Sequence, residues 1–139
     1  MPNQVDWEKI KKRGAKYERN VASFQNDWES ATRAFNINTK LVLSVHCWET
    51  GWAGASSASS PGDEYAWMTC NNPSGLLCND KNEPYDVYRG RSQFGGIQAA
   101  KDKQGTNHGR FWKFRSKEDG IKAFCHILVN SPNYGLKLR

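Results

Sequence analysis

Tyr17, Val21, Phe24, Trp28, Ala31 and Phe35 follow one another at intervals of four and three residues. A helix gathers such a set onto one side, whereas a strand would scatter it over both faces. The spacing therefore predicts a long amphipathic helix over this stretch, with one apolar stripe that must be covered by something else. Upstream, residues 6–13 read as a short helix with Asp6 near its start, broken near Gly14. Downstream, Asn36-Ile37-Asn38 interrupts the pattern, and Asn38 or Thr39 is placed to cap a further helix over 40–50 that Gly51 ends. On that helix Leu41, Val45 and Trp48 share one face, and Val42 and Glu49 the adjoining one.

From 53 to 110 the character changes. AGASSASSPGDE is a loop by composition, and Gly, Pro, Asn and Ser recur through 71–96. Short strands are expected around 85–89 and 110–115, where Tyr85, Val87, Phe111 and Phe114 sit among polar residues. Order returns at Ser116, where Ser-Lys-Glu-Asp opens a helix with Ile121, Phe124, Cys125 and Leu128 on its buried face, closed by Pro132. The expected class is α+β, mainly α: helices at both ends, a small irregular or β lobe between them, and a cleft between the two lobes. With 139 residues the chain suits one domain, 1–139, of which 1–29 forms an N-terminal helical extension.

Charge is distributed unevenly. Residues 1–40 carry eight Lys/Arg against five Asp/Glu, residues 41–100 three against six, and residues 101–139 nine against three. A basic body around an acidic middle suits an anionic polymer partner with carboxylate chemistry at the centre. No apolar stretch reaches the length of a membrane span, and MPNQVDWEKIKKRG lacks the apolar segment of a signal peptide. Four cysteines allow three full pairings: Cys70 and Cys78 bracket a short loop, Cys47 and Cys125 sit in two predicted helices, and four reduced thiols fit equally well.

Glu49 stands at the end of LVLSVHCWETGW. A carboxylate in the last turn of a helix faces the negative end of the macrodipole, and the neighbouring Trp48 and Trp52 limit hydration. Both effects disfavour its charged form and suit a proton donor, though a helix-ending Glu also occurs without any such role. The run Glu49-Thr50-Gly51-Trp52, after FNINTKLVLSVHCW, resembles the catalytic helix of the glycoside hydrolase family 73 endo-β-N-acetylglucosaminidases, with Thr where that family has Ser. Further resemblances follow in the family's order. Asn71-Asn72-Pro73-Ser74-Gly75-Leu76 is similar to its cleft-crossing segment, Phe111-Trp112-Lys113-Phe114 with SKEDGIKAFCHIL to its strand and following helix, and Ser131-Pro132-Asn133-Tyr134 to its closing motif. Trp48 and the NPSGLL version of the crossing segment depart from the family's usual residues.

The resemblance implies a lysozyme-like fold and a bacteriolytic hydrolase of the cell-wall glycan strand, with Glu49 as general acid and no cofactor or metal. Glu83 or Asp86 is the expected second acid, because the family's lies on the lobe facing the helix; otherwise the substrate's N-acetyl group assists, with Tyr134 beside it. Trp52, Tyr65 and Trp67 are the candidate platforms for sugar rings, and Asn72 and Ser74 the candidate partners of N-acetyl groups. Expected partners are peptidoglycan strands, with neither nucleic acid nor membrane insertion, and the chain is expected to act as a monomer. The expected site of action is the periplasmic or extracellular wall, reached as a phage lysin or as an exported effector with its own immunity or delivery protein. Three other readings stand beside this one: a muramidase or lytic transglycosylase, a wall-binding protein without activity, and a zinc-stabilised nucleic-acid-binding module using His46, Cys47, Cys125 and His126. No Cys-x-x-Cys knuckle supports the last.

Overall fold

A computed structural model describes residues 5–13, 16–50, 61–78, 94, 97–98 and 110–130. These are mainly helical: α1 (Trp7–Arg13), α2 (Lys16–Ser23), α3 (Gln25–Ala34), α4 (Thr39–Thr50), α5 (Pro61–Cys70) and α6 (Lys117–Asn130). Three short strands, β1 (Leu77–Cys78), β2 (Ile97–Gln98) and β3 (Arg110–Lys113), form an antiparallel sheet in the order β1-β3-β2. Leu77 is opposite Phe111, and Ile97 is opposite Lys113.

Local chemistry explains most helix boundaries. Asp6 Oδ1 accepts the Lys9 amide at 3.0 Å and so caps α1. At the end of α3, Asn36 takes a φ of 50°, a left-handed value that asparagine tolerates. The Ile37 amide then returns to Thr32 O and the Asn36 amide to Arg33 O, both at 3.0 Å. This pair of bonds is a Schellman ending, with Ile37 tucked into the core behind it. Asn38 Oδ1 next accepts the Leu41 amide at 3.2 Å, starting α4. At the other end of the chain, Ser116 Oγ accepts the Asp119 amide at 3.1 Å and opens α6.

The single helix expected over 17–35 is two helices. At Phe24 the backbone leaves helical geometry, with φ −102° and ψ 29°, and its amide turns tightly back to Val21 O at 3.2 Å. Ser23 Oγ bonds the Asn20 carbonyl at 2.7 Å, the kind of back-bond that bends a helix. The bend preserves the apolar stripe, so side-chain spacing does not register it. A second correction concerns the loop expected across 53–64, because α5 already begins at Pro61. Proline in the first turn costs no hydrogen bond there, and it is a start signal rather than a break. The strands at β1 and β2 are too short for alternation to reveal them, β3 lies inside the strand expected over 110–115, and residues 85–89 fall outside the described region.

One core joins the helices. Trp7, Val21 and Ala22 from α1 and α2 belong to the same buried cluster as Trp28, Val42, Trp67, Phe124 and Leu128. The helices before residue 30 therefore contribute to the core itself, and Trp7 Nε1 donates to Glu29 Oε1 at 2.9 Å on the way in. At the centre Trp28 stacks on Trp67, with ring centroids 5.5 Å apart. Two smaller clusters, Ala66-Cys70-Phe111 and Trp112-Phe114-Ala123, fasten α5 and α6 to β3. Cys125 is a free thiol whose titration burial pushes up to about 12, so the pairing of Cys47 with Cys125 is not made. The Cys78 side chain lies outside the described region.

Candidate active site

Glu49 is placed by its backbone, in the last turn of α4; its side chain lies outside the described region. The helix that carries it is firmly seated. Val42 and His46 have no exposed surface and Leu43 is buried. At its start, Thr39 Oγ1 is 2.6 Å from Thr32 Oγ1, which ties α4 to α3.

His46, three residues before Glu49, joins α4 to the segment 71–76. Its Nδ1 lies 2.7 Å from Pro73 O. A carbonyl can only accept, so Nδ1 carries the proton and the tautomer is fixed. Around the ring stand Trp28, Trp67 and Phe124, with centroids at 5.4, 6.0 and 6.4 Å. Burial lowers the His46 pKa from 6.5 to about 4, the bond to Pro73 opposing it in part, so the imidazole is neutral at physiological pH.

The same short segment is fastened to three other elements. Asn72 is buried, and its Nδ2 donates to Leu76 O at 3.0 Å and to Trp112 O at 2.9 Å, while its Oδ1 accepts the Leu76 amide at 3.0 Å. Its own amide returns to Ala66 O on α5 at 2.9 Å. Asn71, at φ 54°, sends Nδ2 to Phe114 O at 2.9 Å. Gly120 of α6 then receives the Asn71 backbone so closely that a Cβ there would stand 1.7 Å from Asn71 O.

The end of α5 is satisfied in the same region. Ala66 O takes the Asn72 amide, and Cys70 O takes the Phe114 amide at 2.9 Å. Trp67 O takes the Lys117 ammonium, which also sits 4.4 Å from the Trp67 ring centroid and 5.4 Å from that of Phe24. Burial lowers the Lys117 pKa to about 8, with Cys70 opposing. Lys117 thus supplies a cation to the negative end of a helix.

This geometry corrects two expected sugar contacts. Trp67 has no exposed surface and spends its Nε1 on Asn20 Oδ1 at 2.6 Å, so neither ring face is open to a sugar. Asn72 holds the segment's own backbone, and its amide group is committed to that task. Ser74 is half-buried, and its Oγ has no partner among the described residues. Tyr65 lies on α5 by its backbone, with its side chain outside the described region. Trp52, Glu83, Asp86 and Tyr134 all fall outside it. Sequence reasoning missed His46, Lys117 and Gly120 as organisers of the site. For His46 the available signal was a polar residue on the helix face of Val42, where an amphipathic pattern asks for an apolar one.

Among the described residues no three His, Cys, Asp or Glu side chains gather as a metal site, and no helix is long and apolar enough to cross a membrane. Comparison with family models, with curated proteins and with solved structures finds no match.

Proposed function

We propose that this protein cuts the glycan strand of bacterial peptidoglycan as an endo-β-N-acetylglucosaminidase, in a lysozyme-like arrangement of a helical lobe and a smaller lobe, with Glu49 as the general acid. The observation that carries the reading is the junction of two segments: the helix ending in Glu49 and the Asn71–Leu76 segment, joined by His46 and Pro73 one turn before the acid. An acid at a helix end is common, but here the helix that carries it is tied to a second segment, which supports the fixed backbone that proton transfer to a glycosidic oxygen requires. The net charge of +6 favours approach to an anionic wall. Glu49 protonates the leaving oxygen while water, assisted by Glu83 or Asp86, attacks the anomeric carbon; otherwise the substrate's N-acetyl oxygen attacks first, with Tyr134 beside it, and water then opens the oxazoline.

Digestion of purified peptidoglycan, followed by mass spectrometry of the muropeptides, tests this directly. Reducing ends should be N-acetylglucosamine; anhydro-muramic ends would make the enzyme a transglycosylase. Glu49→Gln should lower the rate by about 100-fold or more with an unchanged melting temperature. A Gln variant that clears walls as fast as the parent would remove Glu49 from the reaction.

A further inference from the structure

We propose that His46 is a positioning residue for Glu49, holding the Asn71–Leu76 segment across α4 at a fixed height from the acid. The inference rests on the hydrolase reading above and adds to it a residue that never meets the substrate. Several features single out His46. It is fully buried on the helix that carries the acid, where an aliphatic side chain would pack at less cost. Its Nδ1 makes a short bond of 2.7 Å to a backbone carbonyl 27 residues on in the sequence. Three aromatic rings fix its plane, so the bond direction is set by packing as well as by the acceptor.

The acceptor is also well chosen for transmitting position. Pro73 follows Asn72, whose side chain ties the segment to β3, and Asn71, whose backbone rests on Gly120 of α6. The segment is therefore attached to α5, α6 and β3, and His46 adds an attachment to the acid's own helix. Without it, the segment loses this tie to α4, and its bonds to the other elements open more often. Ser74 and Gly75, next in the chain, then lose their defined height relative to Glu49. Since about 1 Å of misplacement can cost two orders of magnitude in rate, this one bond has leverage on turnover.

Two variants separate positioning from mere packing. His46→Asn keeps a donor close to the place of Nδ1, whereas His46→Leu keeps the bulk and removes the donor. Asn is smaller than His and leaves a gap in the core, whereas Leu fills the space, so the two variants should melt at different temperatures. Assayed on purified peptidoglycan below both melting points, His46→Leu should lose about 10-fold or more in kcat, and His46→Asn should recover most of that loss. Hydrogen exchange gives a readout independent of activity: the amides of Asn72 and Leu76 should lose protection in His46→Leu and keep it in His46→Asn, while those of α3 stay protected in both. Equal kcat for the two variants, or equal protection of Asn72 and Leu76, would overturn the proposal. If the parent itself leaves purified walls intact, the hydrolase reading fails and the positioning role fails with it; a loosened segment in His46→Leu would then mark a purely structural strut.

Discussion

Burial holds the His46 imidazole at about 4, well under its ordinary value of 6.5, and this couples the fold to acid. In the unfolded chain the same ring takes up a proton near 6.5. Between those two values the unfolded state binds more protons, so stability rises with pH and is lost as pH falls from about 6.5 toward 4. The full loss approaches about 3 kcal/mol, from a shift of about 2.5 units at about 1.4 kcal/mol each. His46→Asn should be less stable than the parent at pH 7 but lack this slope. Urea unfolding at pH 7, 5.5 and 4.5 distinguishes the cases; parallel curves for parent and variant would mean that His46 is not the group responsible. Such a histidine is not legible in a sequence, because its neutrality depends on Trp28, Trp67 and Phe124 closing around it from three other helices. Glu49 differs, since the motif around it is local. Trp67 marks the opposite limit: whether a tryptophan offers its face to a ligand or to Trp28 depends entirely on what packs above it.

Among the elements, those with chemical end signals are readable. Asp6, Asn36, Asn38 and Ser116 each mark a boundary that a side chain or a left-handed backbone enforces. The bend at Phe24 lacks such a signal because it preserves the apolar spacing, and the start signal of α5, Pro61, stands at the end of a serine run that reads as loop. Gly120 shows how contact between elements can reverse a local preference. Within an exposed helix, Gly→Ala usually stabilises by about 1 kcal/mol through the backbone entropy it removes. In α6 the new methyl group would lie 1.7 Å from Asn71 O, a distance no side-chain rearrangement can relieve because both groups are fixed to the backbone. Either the helix or the segment must move, and the steric term outweighs the propensity gain. Gly120→Ala should therefore destabilise by about 3 kcal/mol, read as a fall in the denaturant midpoint. An unchanged or higher midpoint would show that the close seat of the segment on α6 does not exist. Asn72→Ala approaches the same junction from the other side. It leaves the Leu76 amide without the Asn72 acceptor and takes one donor from each of the Leu76 and Trp112 carbonyls, and should cost about 2–4 kcal/mol by the same measurement.

For the whole molecule, the question is whether α1 and α2 are an appendage to a core built by α3 to α6 or part of that core. Sequence alone favours the first view, since the resemblance begins near residue 30 and residues 1–29 read as an N-terminal helical extension. The structure favours the second. Trp7, Val21 and Ala22 are buried in the central cluster, with Val5, Ile10 and Phe24 packed partly against it. Two polar links add to this: Trp7 Nε1 to Glu29, and Asn20 Oδ1 to the indole of Trp67. Removing residues 1–23 would delete all of these contacts except those of Phe24, uncover part of the central cluster, and remove the Asn20 acceptor of the Trp67 N–H. At about 1.5–3 kcal/mol for each large apolar side chain lost, the deletion removes about 5 kcal/mol or more, which is comparable with the whole stability of an ordinary domain. A chain starting at Phe24 should accordingly show no cooperative thermal transition and a flat near-ultraviolet circular dichroism spectrum, and the site around α4 should disappear with it. If that shortened chain melted cooperatively within about 5 °C of the parent, the core would have to be complete without its first two helices, and the packing of Trp28 on Trp67 would owe nothing to them.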